Sequence, residues 1–353
     1  MSVLFAILLF SFLIFVHELG HFVAAKLSNV QVNEFSMFMG PAIFKKQVGE
    51  TLYAIRCIPI GGYCAMEGED GGSENPRSFE KAAWWKRLII LVAGAAMNFV
   101  VGILIFTILY LPGDQVVAPV IIDFQECSIF NHEDALHVGD ELLELDGEKI
   151  YTNGDVSLIL ELNKKIAHDV VVLRDGEELV FENLPMAHTH TKEDGSEYLH
   201  YGFSYGQRRE ADFFGKMHFV WKVVIDNVRS VRLSLQMLLS GDAGVQDLSG
   251  PVGIVQMMSE VAEESETSRI AMLNMLSFGG MIAVNLAVMN LLPIPALDGG
   301  RVVGVLITTA VEKITRKKIN PKYEGYLHGA GMILLLGLMA VIMFKDIFVI
   351  FRG

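Results

Sequence analysis

Two histidines and a glutamate lie close together in an apolar stretch near the N-terminus, in the sequence FVHELGH. His17 and His21 are four residues apart, so on a helix both imidazoles project from one face and can reach a single Zn²⁺ ion. Glu18 follows His17 directly and can accept a proton from a water molecule beside such an ion. This spacing is typical of zinc hydrolysis, in which three protein ligands leave one position open for water.

The same pattern also arises by chance, in about one chain in a hundred of this length. A charged carboxylate in the middle of a bilayer costs roughly 2.5 to 3.5 kcal/mol, and such residues usually face a cavity and mark a functional site. The apolar surroundings of Glu18 therefore favour the metal site over coincidence.

The elements that must position these residues are long and apolar. Of the 353 residues, 52% are hydrophobic, and the mean hydropathy of +0.41 is too high for an ordinary soluble domain. Four stretches approach the roughly 20 residues that a bilayer crossing needs: 3–25, 88–111, 271–297 and 326–344. We predict four transmembrane helices, and we expect the first to be retained because it lacks the features of a cleaved signal peptide.

A third metal ligand is needed, and Asp298 is the acidic residue at the end of the third apolar stretch. Pro293 and Pro295 must interrupt that helix, and an interrupted backbone inside a membrane is tolerated where it lines a cavity. We therefore predict Asp298 as the third ligand. Its alternative role is that of a helix cap or turn former in the Asp-Gly-Gly sequence.

Charge is distributed unevenly along the chain. The net charge is −13, and residues 114–205 contain twenty acidic and five basic side chains. Basic residues flank the other apolar stretches, at Lys26, at Lys86 and in the segment 312–322. Because cytoplasmic loops are enriched in Lys and Arg, we expect these loops to be cytoplasmic, and the acidic block and both termini to be extracytoplasmic.

The acidic block has the pattern of a small β-rich domain of about 90 residues. Its segment 135–150 alternates apolar and polar residues up to Asp146-Gly147, which predicts a strand and a tight turn. The polar segment 185–202 is predicted to be a loop. It contains three histidines that could bind a metal but are expected to be solvated: His188, His190 and His200.

Segment 212–239 has apolar residues at helical spacing, with Lys and Arg between them. This pattern predicts an amphipathic helix, which either lies on the membrane surface or packs on the β-rich domain.

Three blocks, FVHELGHFVAAK, IPIGGYCAMEGED and NLLPIPALDGGRVV, resemble the signature blocks of the site-2 protease family of intramembrane zinc metalloproteases, in particular its bacterial RseP and RasP type. The resemblance implies that His17, His21 and Asp298 are the zinc ligands and that Glu18 activates water. It also implies that Asn290 contacts the backbone of the substrate. The sequence ALHVGDELLELDGEKI in the acidic block resembles part of a PDZ domain, and the chain has room for one such domain where RseP-type proteins usually have two.

The segment 51–70 predicts a hairpin with its turn at Gly61-Gly62, because β-favouring residues flank these glycines. In the site-2 protease family such a hairpin dips into the membrane and can receive the substrate as an added strand. The alternative is a cytosolic hairpin packed on helix ends. The chain departs from the family at Phe38-Met39-Gly40-Pro41, where many members have Gly-Phe-Gly-Pro.

The expected fold is a polytopic α-helical membrane protein with four transmembrane helices, a membrane-associated β-hairpin and an inserted extracytoplasmic PDZ-like β-rich domain. Four parts are expected: an N-terminal membrane part (1–112), the PDZ-like domain (113–206), an amphipathic connecting region (207–270) and a C-terminal membrane part with the LDG motif (271–353).

The expected function is that of a zinc metalloendopeptidase in the bacterial cell membrane, with its active site in the cytoplasmic half of the bilayer. Its expected substrates are transmembrane segments of single-pass proteins, such as an anti-sigma factor or a signal-peptide remnant, cut after a first cleavage of the ectodomain. Zn²⁺ is the expected cofactor, membrane lipid is an expected partner, and no nucleic acid is expected. The alternatives are an inactive membrane scaffold and a metal transporter.

Overall fold

The structure is a computed structural model that describes residues 2–69, 72–125, 135–191, 197–241, 244, 248–316 and 322–352. Residues 317–321 of the basic segment and residues 192–196 of the histidine-containing segment therefore lie outside the described part. The chain divides into two compact units, one formed by Phe106–Asp226 and the other by Met1–Ile105 together with Asn227–Gly353.

The N-terminal part consists of two apolar helices separated by two long strands. Helix α1 (Ser2–Leu27) is followed by strands β1 (Val32–Val48) and β2 (Thr51–Met66), and then by helix α2 (Trp84–Tyr110). Both helices are nearly unbroken runs of Leu, Ile, Val, Phe and Ala without proline, so no residue interrupts their backbone hydrogen bonds. After α1 the chain reverses at Asn29, which adopts a positive φ of 62°.

Strands β1 and β2 form an antiparallel pair. A hairpin is present, but it is formed by β1 and β2 with its turn at Gly49-Glu50. The prediction of a hairpin within 51–70 with its turn at Gly61-Gly62 is wrong, because β2 continues through both glycines. Gly61 has a φ of +80° in an irregular stretch of β2, a conformation that glycine adopts without steric cost. Residues 34–37 of β1 have Cα partners in two stretches of β2, 52–55 and 62–65. This part of β1 therefore lies between two stretches of β2, and β2 bends between them.

The unit Phe106–Asp226 is β-rich. Its elements are β3 (Gln115–Phe124), β4 (Glu141–Leu145), β5 (Glu148–Lys149), α3 (Asn153–Leu162), β6 (Ala167–Arg174), β7 (Glu177–Pro185), β8 (His188–Thr191), β9 (Glu197–His200) and β10 (Phe203–Glu210). The main sheet has the strand order β10-β3-β4-β6-β7 with β5 paired to β4, and β8 and β9 form a separate hairpin. The core of this unit is apolar and includes Leu142, Ile159 and Val170.

Two predictions for this unit can be compared with the structure. The tight turn at Asp146-Gly147 is confirmed, since both residues have positive φ values, 50° and 81°, between the paired strands β4 and β5. The prediction of a loop over 185–202 is wrong for the described residues, because His188 pairs with His200 across the β8–β9 hairpin. The sequence did not reveal this hairpin, because neither of its faces is apolar enough to give an alternating pattern of apolar and polar residues.

The C-terminal part is helical. It contains α4 (Phe213–Ser240), α5 (Pro251–Glu263), α6 (Ser268–Asn290), α7 (Asp298–Thr315) and α8 (Lys322–Arg352). Buried apolar side chains of α1, α5 and α6 form one cluster, which includes Leu13, Met258 and Ile282.

Four described helices are long and apolar enough to cross a membrane: Val3–Leu27, Trp84–Tyr110, Ser268–Asn290 and Gly325–Phe348. The chain is therefore a membrane protein with a β-rich part, as predicted. The predicted third span, 271–297, is too long, because α6 ends at Asn290 and residues 291–297 are irregular. Pro293 and Pro295 lie in this irregular segment, where their missing N–H groups break no helical hydrogen bond.

Candidate metal centre

Three potential metal ligands from two distant parts of the chain meet at one point. The Nε2 atoms of His17 and His21 are 3.1 Å apart, and Oδ2 of Asp298 lies 3.1 Å from the first and 3.3 Å from the second. Ligand atoms placed tetrahedrally at about 2.0–2.1 Å from a zinc ion are about 3.3–3.4 Å from one another. The spacing of these three donor atoms therefore fits a single zinc ion bound by two imidazoles and one carboxylate.

The orientation of His21 is set by α2. Its Nδ1 lies 2.8 Å from the carbonyl oxygen of Ile90. Because a carbonyl only accepts, Nδ1 carries the proton, and Nε2 keeps its lone pair for a metal. His21 is buried, so this hydrogen bond also satisfies a polar atom that would otherwise be stranded.

Two glycines allow α1 and α2 to approach closely enough for this contact. A Cβ on Gly20 would lie 2.8 Å from the carbonyl carbon of Ala93, and a Cβ on Gly94 would lie 2.7 Å from Cε1 of His21 and 2.9 Å from Cε1 of His17. Neither position can hold a larger side chain without displacing its neighbours. Sequence reasoning missed Gly94, although a glycine among the alanines of an apolar helix is a known signal of close helix packing.

Asp298 is held by a tight local structure. It is the first residue of α7, where the positive end of the helix dipole favours a carboxylate. The next two residues must be small: a Cβ on Gly299 would collide with the carbonyl oxygens of Leu291 and Leu292, and one on Gly300 would lie 2.8 Å from the carbonyl carbon of Ile294. The Asp-Gly-Gly sequence thus lets α7 pack back against the irregular segment that precedes it.

Glu18 lies on the side of α1 that faces the β1–β2 sheet. A Cβ placed on Gly62 would be 3.6 Å from Cγ of Glu18 and 3.1 Å from the carbonyl oxygen of Ser36. The backbone of β2 therefore passes directly beside the Glu18 side chain with no side chain between them. Gly61 faces away from this contact and packs on Met39, and Asn290 is the last residue of α6, at the far end of the segment that leads to Asp298.

An ion pair links the end of the sheet to α7. Arg301, three residues after Asp298, donates to Glu69, whose other carboxylate oxygen accepts from the backbone N–H of Met66 at 3.3 Å. This connection joins the chain that follows β2 to the helix that begins with Asp298. Sequence reasoning did not identify either residue.

The three histidines of the β8–β9 hairpin form a second, more open group. The ring centroids of His188, His190 and His200 are 4.7, 5.3 and 5.4 Å apart. Among the described residues, one group of three potential metal ligands has all its donor atoms within 4.8 Å of one another. That group is His17, His21 and Asp298. The hairpin histidines are therefore not arranged as a preformed metal site.

Comparison with known proteins points in the same direction as the geometry. A family model described as Peptidase family M50 matches residues 5–338. A protein of Fusobacterium nucleatum named as a putative zinc metalloprotease is 35% identical over 365 residues, covering 100% of both chains, and a Clostridium perfringens protein named in the same way is 34% identical over 98% of both chains. The Bacillus subtilis protein named regulator of sigma-W protease RasP is 26% identical over 97% of both chains.

Proposed function

The chain belongs to peptidase family M50 and is a zinc metalloprotease, and from that premise we propose that it cleaves transmembrane segments of single-pass membrane proteins. One observation carries the proposal: two of the three clustered donor atoms belong to an apolar helix long enough to cross a membrane. A hydrolytic site at that depth serves a substrate whose scissile bond is itself in the membrane.

We propose that His17, His21 and Asp298 hold the zinc ion and that Glu18 is the general base. Zinc, when bound, polarises the scissile carbonyl and increases the acidity of water in the open coordination position. Glu18 accepts the proton of the attacking water on a carboxylate oxygen and then delivers it to the leaving amine nitrogen. The Ile90 carbonyl keeps His21 in the tautomer whose Nε2 faces the metal position.

The β1–β2 sheet is proposed to receive the substrate. A transmembrane helix hides its peptide groups in internal hydrogen bonds, so cleavage requires local unwinding and replacement partners for the released N–H and C=O groups. Residues 62–65 of β2 pair with β1 on one side, and Gly62 lies against Glu18. A substrate strand added along this stretch would present its backbone to Glu18. Asn290 is proposed to contact the substrate backbone as well.

The β-rich unit is proposed to be a PDZ-like domain, with the boundaries 113–206 expected from the sequence, and to act as a filter for substrate size. A cavity of about 870 Å³ lies within this unit, and its lining includes Leu160 of α3 and Phe203 of β10. A groove between a helix and a strand is a site at which an extended peptide can dock. The filter admits substrates whose ectodomain has already been shortened by another protease.

The proposed location is the bacterial cell membrane, with both termini and the β-rich unit outside and the active site in the cytoplasmic half of the bilayer. His17 lies nine residues before Lys26, which is about 13 Å along a helix. The Bacillus subtilis relative is named a regulator of sigma-W protease, which supports an anti-sigma factor as one substrate, with a signal-peptide remnant as another.

The decisive experiment separates metal binding from proton transfer. In detergent-purified protein, Glu18→Gln should lower cleavage of a model transmembrane substrate by at least about 10²-fold, because a general base contributes about 10²–10⁴-fold to rate. Its zinc content should stay at the wild-type level, whereas His17→Ala and Asp298→Ala should lose zinc. Appreciable cleavage by Glu18→Gln would refute the role of Glu18.

The same preparations test the alternatives. A wild-type protein that binds zinc but cleaves no membrane peptide would be an inactive scaffold, and zinc movement across proteoliposomes would indicate a transporter. Mass spectrometry of the product termini then tests the orientation, because the proposed depth of His17 predicts cuts in the cytoplasmic half of the substrate helix. Cuts near the outer end would contradict it.

A further inference from the structure

The segment that leads to Asp298 has an unusual backbone. Ala296, two residues before Asp298, has a φ of +80°. Residues with a side chain rarely adopt positive φ, and such strain persists only where the surroundings enforce it. Residues 291–297 belong to neither α6 nor α7. The hydrogen bonds of a regular helix therefore do not hold Ala296 in this conformation, and another part of the protein must do so.

Helix α8 supplies a hydrogen bond at this residue. The backbone N–H of Ala296 donates to Nδ1 of His328 at 3.1 Å. His328 is 9% exposed although its neighbour Leu327 is 59% exposed, so its side chain points into the protein from a helix long enough to cross a membrane. Ionisable side chains in such segments are rare and generally mark functional positions.

The same face of α8 touches the preceding residue of the segment. Gly331 lies three residues after His328, and a Cβ on Gly331 would be 2.8 Å from both the carbonyl carbon and the carbonyl oxygen of Pro295. In contrast, Cβ atoms on Gly329 and Gly337 of the same helix would meet nothing within 4 Å. Gly331 is therefore the point at which α8 approaches the segment closely, and His328 is the polar contact one turn away.

We propose that His328 is a positioning residue: it holds Ala296 in its left-handed conformation and thereby sets the position of the Asp298 carboxylate against His17 and His21. The inference deepens the proposed function, since it takes Asp298 to be a metal ligand. The imidazole must be neutral, with the proton on Nε2, because Nδ1 accepts. Removal of a group that orients a metal ligand typically lowers metal affinity or activity by about 10- to 100-fold.

The test compares three replacements of His328 in the purified full-length protein. Asparagine places its Oδ1 close to where Nδ1 lies, whereas glutamine places its acceptor one bond farther out and leucine has none. We expect His328→Leu and His328→Gln to lower zinc affinity, measured by competition with a chromophoric chelator, by about 10- to 100-fold. His328→Asn should restore affinity to within about threefold of the wild type. Equal affinities of the leucine and asparagine variants would overturn the proposal.

Kinetics and a matched glycine pair give independent measurements. A displaced Asp298 should lower kcat for a model transmembrane substrate and leave KM nearly unchanged, because the substitution is proposed to act through the position of Asp298 and not through a substrate contact. Gly331→Ala should reproduce the loss of zinc affinity by pushing Pro295, whereas Gly329→Ala should behave as the wild type. A Gly331→Ala variant with normal zinc affinity would count against the inference, even if His328→Leu failed to fold.

The failure of this inference can be distinguished from failure of the proposed function. If Asp298→Ala keeps its zinc, then Asp298 is not a ligand and the proposed function loses its ligand set. If Asp298→Ala loses zinc while all three His328 variants bind zinc normally, the ligand set stands and the positioning role of His328 is refuted.

Discussion

Replacement of Gly94 by alanine should weaken zinc binding without unfolding the protein. An alanine Cβ at this position would collide with Nε2 of His21, and it would lie 2.7 Å from Cε1 of the same ring and 2.9 Å from Cε1 of His17. Ordinary contacts of a Cβ atom begin at 3.4 Å. The His17 ring must therefore retreat by about 0.5 Å, and the His21 ring, whose Nε2 is closer to the new Cβ than its Cε1, must retreat by more than about 0.7 Å. Both rings move away from α2, and His21 must stretch or break its hydrogen bond to the Ile90 carbonyl.

The expected loss of zinc affinity follows from the small displacement of ligands that a metal site tolerates. Ligand distances are typically held to within about 0.2 Å of their ideal values, which is less than either displacement. We expect zinc affinity to fall by about 10- to 100-fold, as happens when support behind a ligand is lost, and kcat/KM to fall by about 10²-fold. Alanine favours a helix over glycine by about 1 kcal/mol, so α2 itself should not be weakened.

The assay uses detergent-purified protein, a chelator competition for zinc affinity, cleavage of a model transmembrane substrate, and thermal unfolding. The control is Gly337→Ala, because a Cβ on Gly337 meets no atom within 4 Å, and it should match the wild type in all three measurements. Wild-type zinc affinity in Gly94→Ala would show that the rings next to Gly94 do not hold the metal. Loss of zinc accompanied by global unfolding would show that Gly94 serves helix packing instead.

Two further predictions concern the β-rich unit. The buried Asp140 carboxylate accepts from Arg174 at 2.8 Å and from the backbone N–H of His137 at 2.7 Å, so Asp140→Ala should destabilise the unit by about 3 kcal/mol in denaturant unfolding, since it leaves a charge unpaired; an effect no larger than that of the exposed Glu161→Ala would contradict this. Burial raises the pKa of Asp226 from 3.8 to about 6, against the opposing hydrogen bond from Thr152. Between these values the folded protein binds a proton that the unfolded chain has lost, so stability should fall as pH rises through this window and level off above it. Asp226→Asn should remove this slope, and thermal unfolding midpoints at pH 5 and pH 7.5 will measure it.

Local patterns in the sequence were informative where partners are close along the chain. Helical periodicity alone puts His17 and His21 on one face, because residues four apart are neighbours on any helix. Apolar length alone predicts four spanning helices, and four described helices meet that requirement. The turn at Asp146-Gly147 was also readable, because its positive φ values favour these residue types.

The same local reasoning failed where a residue type has more than one structural use. The pair Gly61-Gly62 predicted a turn, yet β2 runs through it, because glycine also serves an irregular strand and close contact with Glu18. The histidines of the β8–β9 hairpin looked like loop residues because a strand exposed on both faces has no apolar alternation.

The candidate site shows most clearly which features can be predicted from the sequence and which depend on the fold. Residue type and spacing are enough to identify the side chains that could bind a metal and to show that they lie in apolar surroundings. The packing of the helices brings Asp298 within 3.3 Å of both histidine Nε2 atoms. It also places the Ile90 carbonyl against Nδ1 of His21 and His328 against the N–H of Ala296. These contacts join residues far apart in the chain, so they depend on how helices pack against one another, and packing leaves no periodic trace in a single sequence.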